Sequence, residues 1–165
     1  AIMLLLKRSR ISNLSFSRIK ITLKLVAQNR NRRILIFHED IRACELICRV
    51  LVENGISAGI YHSKRSQVER VQTLSDYRKG KVRVLVTCRA LDEGFNVPET
   101  EIGIIAASTA TYRQRIQRLG RVLRPTRGKT SADIYSLVAS VPEIRRLAEE
   151  ATDLDGLVDV IWSRA

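Results

Sequence analysis

The chain has 165 residues, of which 45% are hydrophobic and 28% are charged, and its net charge is +12. This length and composition fit one soluble globular domain with a sizeable core. The longest apolar runs, residues 1–6 and 102–107, are far shorter than the roughly 18 residues that a membrane span needs. Because cations follow the first run instead of preceding it, we interpret it as a core-facing remnant of an upstream segment, not a secretory signal.

The positive charge is concentrated in two segments. Residues 1–33 carry nine basic side chains and residues 111–129 carry seven, and neither segment has an acidic one. Residues 34–110 are balanced, and residues 130–165 are acidic. Two cationic segments without local counter-charges predict a polyanionic partner. An acidic membrane surface is the competing explanation, but neither segment has the aromatic-rich amphipathic face that is typical of membrane binding.

Cysteine and histidine are scarce. Cys44 and Cys48 lie four residues apart on a predicted helix, and Cys88 is the third cysteine. An odd number of cysteines without a C-x-x-C pair favours reduced thiols in a cytosolic protein. With only His38 and His62 to add, the sequence predicts no metal site.

Five short apolar runs predict five strands, at residues 33–37, 56–61, 82–87, 101–107 and 131–138. Continuous apolar runs are typical of parallel strands that are buried on both faces. A helix or a long crossover separates each run from the next. This alternation predicts an α/β protein with a parallel sheet that helices cover on both faces.

Three helices are predicted in the first half of the chain. Residues 13–28 favour a helix, although residues 19–23 also alternate as a strand does. Asp40 can cap a second helix, which ends at Gly55. Its predicted buried face is Ile41, Leu46 or alternatively Cys44, Ile47, Val50 and Leu51. Ser66 and Glu69 form a capping box for a third helix through Tyr77, which Gly80 closes.

The end of the chain also has a helical pattern. Pro142 is a good first-turn residue for a helix that runs to about Ala151. Apolar residues between positions 154 and 161 indicate a final short helix, which we expect Trp162 to anchor by packing.

Polar residues follow the first four predicted strands. They are His38 and Glu39, then residues 62–65, residues 87–89, and residues 108–109. Ligands of parallel α/β sheets bind beyond the carboxyl ends of the strands. The sequence therefore predicts a ligand-binding edge there.

Residues 112–125 form an arginine-rich stretch that separates into two faces on a helix of about 100° per residue. Apolar residues and a glycine form a buried seam: Ile116, Leu119, Gly120 and Leu123. Forked donors share an adjacent arc: Gln114, Gln117, Arg121 and Arg124. Arg115 and Arg118 point elsewhere. Such a row suits phosphate oxygens. A solvated basic face is the alternative, but no acidic residue between Glu101 and Asp133 could neutralise it.

The sequence of residues 117–124, Gln-Arg-Leu-Gly-Arg-Val-Leu-Arg, resembles the last conserved motif of superfamily 2 helicases, Q-R-x-G-R-x-x-R. The resemblance implies a RecA-like three-layer α/β/α sandwich, with ATP bound between this lobe and a first lobe. It also implies that Arg121 and Arg124 are catalytic arginine fingers and that Gln117 helps to orient the cleft. The ending Arg-Val-Leu-Arg-Pro looks more like DNA-repair and restriction-type helicases than RNA-directed DEAD-box proteins.

Residues 86–98 are similar to motif V of the same superfamily, which is usually written with D-E-G-x-D-x-P. The similarity implies that Thr87 contacts the nucleic-acid backbone, and that Glu93, Gly94 and Asn96 lie near the nucleotide. Asn96 stands where many relatives carry Asp. An amide can still bond a ribose hydroxyl, but it brings no charge. A plain strand–turn–strand is the alternative.

Residues 34–38, and residues 61–63 together with Arg70, resemble motifs IV and IVa. In the family, the loops at these positions face the nucleic acid. The implied phosphate-contacting residues are His62, Ser63, Lys64 and Arg65, with Arg89 after the third strand. A solvated surface loop is the alternative for each of them.

Gly128-Lys129-Thr130 ends like a phosphate-binding loop, but Leu123 stands where the first glycine of that motif should be, and the triplet precedes a strand. We interpret it as a turn. The sequence has no other Walker A candidate and no D-E-x-[HD] run. ATP with Mg2+ would therefore be held mainly by the first lobe.

These patterns predict three segments: a lead-in from a first lobe at residues 1–30, a RecA-like helicase domain at 31–140, and a helical tail at 141–165. The predicted function is the second motor lobe of an ATP-dependent DNA helicase or translocase. The predicted location of the protein is the cytoplasm, in association with the nucleoid, or the nucleus, and we expect that it is not secreted. The alternatives are a non-catalytic nucleic-acid-binding module and a small-molecule phosphotransferase. Nucleic-acid binding that weakens steeply with salt would separate the motor lobe and the binding module from the phosphotransferase.

Overall fold

The computed structural model describes residues 16–88, 97–107, 133–138 and 140–152, together with residues 161 and 163. It contains five strands: β1 Ile34–His38, β2 Ala58–Tyr61, β3 Val84–Thr87, β4 Ile102–Ala107 and β5 Asp133–Ser136. They form one sheet in the order β2-β3-β1-β4-β5, and every neighbouring pair is parallel. The predicted parallel sheet is confirmed, although β2, β3 and β5 are shorter than their apolar runs.

Within the described ranges, four helices accompany the sheet: α1 Phe16–Gln28, α2 Ile41–Glu53, α3 Gln67–Arg78 and α4 Val141–Thr152. Both predicted caps are present. Asp40 accepts a hydrogen bond from the backbone N–H of Ala43 at 3.0 Å, and Ser66 and Glu69 form the reciprocal capping box. None of the helices in these described ranges is long and apolar enough to cross a membrane.

The side chains of β1 alternate between two cores. Ile34 and Ile36 pack into the core that contains residues of α1 and α2, and Leu35 and Phe37 pack into the core that contains Tyr77 of α3. Each fully buried isoleucine or leucine contributes about 1.5–3 kcal/mol. Helices therefore cover both faces, which confirms the three-layer α/β/α architecture.

The buried face of α2 differs from one of the two predicted alternatives. Cys44 is fully buried, whereas Leu46 is 39% exposed. Cys44 lies one turn before Ile47 and close to the ends of β1 and β3, where a small side chain fits. Val50 is only half-buried. The core face of α2 therefore runs through Ala43, Cys44, Ile47 and Leu51.

Helix α1 packs on β4 and α2 as part of the same core, with Ile19 and Val26 buried. Arg18 is also buried, at 3% exposure. Its Nη1 donates to the carbonyls of Ala106 and Leu137 at 2.8 and 2.6 Å, and its Nη2 donates to both carboxylate oxygens of Glu143 at 2.6 Å. Arg18 thus joins α1 to the carboxyl ends of β4 and β5 and to α4. The assignment of residues 1–30 as a lead-in from a first lobe stays a prediction.

Candidate functional site

The carboxyl ends of the strands bring three loop starts together. In the parallel register, Thr87 pairs with Phe37 of β1 on one side and with Tyr61 of β2 on the other. Thr87 is therefore flanked by the residues that follow β1 and β2. The structure places it beside the start of the predicted phosphate-contacting loop at His62.

Thr87 is fully buried, and its hydroxyl has no hydrogen-bond partner among the described residues. Its carbonyl lies 3.4 Å from the sulfur of Cys44. An unpaired buried hydroxyl costs about 1–3 kcal/mol. The Thr87 hydroxyl has therefore kept a hydrogen-bonding capacity that no described residue uses.

His62 was predicted to contact nucleic acid, but the structure places its imidazole inside the domain, at 1% exposure. The backbone N–H of Lys64 donates to Nδ1 at 3.2 Å, which assigns the proton to Nε2 in the neutral ring. Nε2 lies 3.4 Å from a carboxylate oxygen of Glu45. Burial lowers the pKa of His62, and Glu45 opposes this shift in part. His62 therefore supports the loop from beneath.

The loop above His62 is a turn, because the N–H of Arg65 donates to the carbonyl of His62 at 3.0 Å. Ser63 and Lys64 are exposed at its tip. Arg65 is engaged by two carboxylates, those of Glu69 at 3.3 Å and Glu45 at 3.8 Å. Within the described ranges no ion pair involves Lys64. Ser63 and Lys64 are therefore the predicted contact residues that this turn presents to solvent.

Arg70, which the sequence grouped with this loop, packs instead against β2. Its guanidinium carbon lies 5.7 Å from the centre of the Tyr61 ring, in cation–π contact. Tyr61 is itself buried at the end of β2. The pair therefore holds the first turn of α3 against the strand that leads into the loop.

Cations at the opposite, amino-end edge of the sheet bind protein groups. Arg33 donates to the carbonyl of Arg78 at 3.1 Å, at the end of α3. Arg83 donates to the carbonyls of Asn29 and Arg32 at 2.9 and 3.3 Å, just beyond α1. The last carbonyls of a helix lack internal partners and carry partial negative charge, so Arg33 acts as a cap of α3, while Arg83 binds the chain just beyond α1. Burial lowers the pKa of Arg83.

Several cations of residues 1–33 also bind groups of the protein itself, in this case carboxylates. Arg32 pairs with Asp133 at 2.5 Å and lies 3.9 Å from Glu101, while Arg18 pairs with Glu143. Arg18 is bound inside the fold, whereas Arg32 is 35% exposed and forms its ion pairs near the surface. Together with Arg33, these guanidiniums are already engaged by groups of the protein. Sequence reasoning missed these roles, because each partner lies far along the chain.

The remaining predicted site residues lie outside the described residues. They are Arg89, Glu93, Gly94, Asn96, Gln117, Arg121 and Arg124. The predicted turn at 128–130, the final short helix (apart from Ile161) and Trp162 lie outside them as well. In the part of the chain that the structure describes, no group of three or more His, Cys, Asp or Glu side chains could hold a metal ion.

Comparison with known proteins covers both the carboxyl-end edge of the sheet and the arginine-rich residues 112–125. Residues 17–126 match the model of the helicase conserved C-terminal domain. The chain is 32% identical over 110 residues to the DNA 3'-5' translocase XPB2 of Sulfurisphaera tokodaii, covering 67% of this chain and 24% of that protein. It is 34% identical over 107 residues to UvrABC system protein B of Thermosipho africanus, covering 62% and 16%. The chain thus spans a quarter or less of these relatives. Proteins named as ATP-dependent RNA helicases also match, at 29% and 25% identity.

The fold agrees with this match. The C-terminal domain of the DEAD-box protein Dbp5 superimposes with a TM-score of 0.73 at 19% identity, covering 88% of this chain and 82% of that one. At this identity the likeness concerns the fold alone. A family match over two thirds of the sequence and a RecA-like parallel sheet agree with the motif spacing. The chain belongs to the helicase conserved C-terminal domain family and is a C-terminal RecA-like domain of the superfamily 2 type.

Proposed function

We propose that the chain is the second motor lobe of an ATP-dependent DNA helicase or translocase, and that it works with a first RecA-like lobe of the same full-length protein. The observation that carries the proposal is the carboxyl-end edge of the sheet. There an exposed Ser63–Lys64 turn adjoins Thr87, whose hydroxyl is unpaired among the described residues. Ligands of this class of sheet bind at that edge.

In this proposal the nucleotide is ATP with Mg2+, held mainly by the first lobe. The donors in residues 117–124 suit it chemically, since forked guanidiniums bind phosphate oxygens at two points. Arg121 and Arg124 would neutralise charge on the transferring phosphoryl group, and Gln117 would orient the cleft. Glu93, Gly94 and Asn96 would lie near the nucleotide.

The nucleic-acid track in this proposal begins at the turn above His62. Lys64 supplies a charge and Ser63 a hydroxyl to the phosphate backbone, while Arg65 and the buried His62 fix the shape of the turn. Thr87 and Arg89 continue the track. Because Thr87 is buried, a phosphate reaches its hydroxyl only if neighbouring groups shift on binding.

DNA is the proposed substrate because the ending Arg-Val-Leu-Arg-Pro and the Asp-Glu-Gly form of motif V resemble DNA-directed helicases. A competition assay tests this preference in the full-length protein. Single-stranded DNA and RNA of the same length and sequence are compared as stimulators of ATP turnover. Stronger stimulation by RNA would contradict the assignment of DNA.

The motor assignment is tested by Arg121→Ala in the full-length protein. Loss of an arginine finger lowers phosphoryl-transfer rates by about 10³–10⁵-fold, and ATP turnover should fall on that scale while nucleotide affinity is largely kept. Arg115→Ala is the matched control, because Arg115 lies outside the Q-R-x-G-R-x-x-R motif and the helical periodicity points it away from the arc that contains Arg121. Normal turnover of Arg121→Ala, or an equal loss in both variants, would remove the finger assignment.

The isolated chain provides a second test. Its sequence contains no Walker A or Walker B motif, so purified 165-residue protein should hydrolyse no ATP, with or without DNA. DNA-stimulated turnover by this chain alone would contradict the division of labour between two lobes. If the full-length protein bound DNA without any ATP turnover, the non-catalytic binding module would replace the motor.

A further inference from the structure

Two cysteines from different elements meet behind the carboxyl-end edge of the sheet. Cys44 lies in the first turn of α2, and Cys88 directly follows β3. Both belong to the same buried core cluster. Cys44 is fully buried and Cys88 is 5% exposed. The third cysteine, Cys48, lies one turn further along α2 and is half-buried.

Backbone carbonyls hold both sulfurs in place. The sulfur of Cys44 lies 3.4 Å from the carbonyl of Thr87, the residue before Cys88, and 3.6 Å from that of His38. The sulfur of Cys88 lies 3.2 Å from the carbonyl of Glu39. The chain between residues 38 and 44 and the end of β3 are thus clamped around one pair of thiols. A disulfide has an S–S bond length of about 2.0 Å, so the two sulfurs would have to approach each other within this clamp.

We propose that Cys44 and Cys88 form a redox-active dithiol, which a two-electron oxidant such as hydrogen peroxide converts to a disulfide. The thiolate sulfur of Cys88 attacks one peroxide oxygen and releases hydroxide, leaving a sulfenic acid on Cys88. The sulfur of Cys44 then attacks the sulfur of Cys88, and the hydroxyl leaves as water with the thiol proton. The two thiols lose two electrons and two protons in total, and one peroxide becomes two waters.

The environment assigns the two roles. The pKa of the Cys44 thiol is raised, first by the neighbouring Cys88 side chain and then by burial, so Cys44 stays protonated. Because the thiolate is the nucleophile, a thiol that stays protonated is poorly suited to attack peroxide. Cys88 is also the more exposed of the two. Cys88 is therefore the attacking thiol and Cys44 the resolving thiol. The disulfide would fasten the end of β3, at the proposed nucleic-acid edge, to α2.

Peptide mapping of the full-length protein tests the linkage. Cys44 and Cys48 lie on one tryptic peptide, residues 43–49, and Cys88 lies on another, residues 84–89. In the Cys48→Ser variant, peroxide followed by alkylation should give a linked pair of these peptides, two hydrogens lighter than the sum of the reduced peptides. Wild-type protein should give the same pair, with Cys48 alkylated.

The assignment of roles is tested by trapping sulfenic acid with dimedone. Cys44→Ser should accumulate the dimedone adduct at Cys88, because the resolving thiol is gone. Cys88→Ser should show no adduct at Cys44. If Cys88 is oxidised without linking to residues 43–49, if it links to Cys48, or if the adduct forms at Cys44, the proposal is overturned.

Discussion

At the amino-end edge of the sheet, Arg33 donates to a carbonyl at the end of α3, and Arg83 donates to carbonyls just beyond α1. At the carboxyl-end edge, Lys64 is exposed on a turn that the buried imidazole of His62 supports. The formal charge of these side chains is the same, but their partners differ. Helices between parallel strands end at the amino edge, so their unpaired carbonyls attract cations there. The comparison teaches that net charge alone does not locate a binding surface.

Arg18 sharpens this comparison because it lies near the carboxyl edge and is nevertheless bound within the fold. Arg18→Ala would leave the carboxylate of Glu143 and the carbonyls of Ala106 and Leu137 without their donor. Breaking a buried pair from one side costs about 3–5 kcal/mol. Arg32→Ala removes a half-exposed pair with Asp133 and should cost about 0–1 kcal/mol. Urea unfolding of both variants measures the difference. Equal losses would show that burial does not separate structural from surface arginines here.

The cap on α3 is tested through glycine. Gly80 and Gly55 both have positive φ, of 79° and 74°, but a Cβ at Gly80 would lie 2.9 Å from Nη2 of Arg33, and one at Gly55 would meet nothing within 4 Å. Both Gly→Ala changes should cost about 1–2 kcal/mol in backbone strain. Gly80→Ala should cost about 1 kcal/mol more, because it displaces the Arg33 cap. In an Arg33→Ala background the two glycine changes should cost the same, and a persistent gap would contradict the capping role.

Removing the unpaired hydroxyl of Thr87 at the carboxyl edge should increase the stability of the protein, whereas the changes above should decrease it. Thr87→Val removes a buried hydroxyl without a described partner, and should stabilise the protein by about 1 kcal/mol while weakening DNA binding. Thr22→Val is the control, since the Thr22 hydroxyl is also buried but donates to the carbonyl of Arg18 at 2.8 Å. That variant should lose about 1 kcal/mol and bind DNA normally. Unchanged DNA affinity in Thr87→Val would remove Thr87 from the track.

The smallest expected effect is a pH dependence from His62. Burial holds its pKa in the folded protein below the ordinary value of 6.5. The unfolded chain therefore binds a proton first as the pH falls, and the stability from the neutral imidazole is lost from about pH 6.5 down to the lowered pKa. His62→Asn, whose side-chain oxygen can still accept from Lys64 N–H, should flatten this part of the profile. Urea midpoints between about pH 8 and pH 5 measure it, and parallel profiles would contradict the assignment.

Much of the fold could be predicted from the sequence, because strands and helix starts depend on residues that are close together in the chain. The apolar runs located all five strands, and the side chains of Asp40 and Ser66 located two helix starts. Leu46 and Cys44 could not be ranked locally, since the choice depends on space beside β1 and β3. The burial of His62 and the pairing of Arg18 with Glu143, 125 residues away, have no local signal. For the site, the spacing of the motifs identified the family. Which cations are bound by groups of the protein, and which are exposed, could be read only from the structure.

The central claim is that Lys64 at the carboxyl edge binds nucleic acid and that cations at the amino edge do not. Lys79 is the matched control, since it is also exposed but lies at the end of α3. The measurement is the dependence of DNA affinity on salt in the full-length protein. Lys64→Ala should reduce the slope of log K on log salt by about 0.7–0.9, one phosphate contact, and Lys79→Ala should leave it unchanged. A reduced slope in Lys79→Ala together with an unchanged slope in Lys64→Ala would contradict the account.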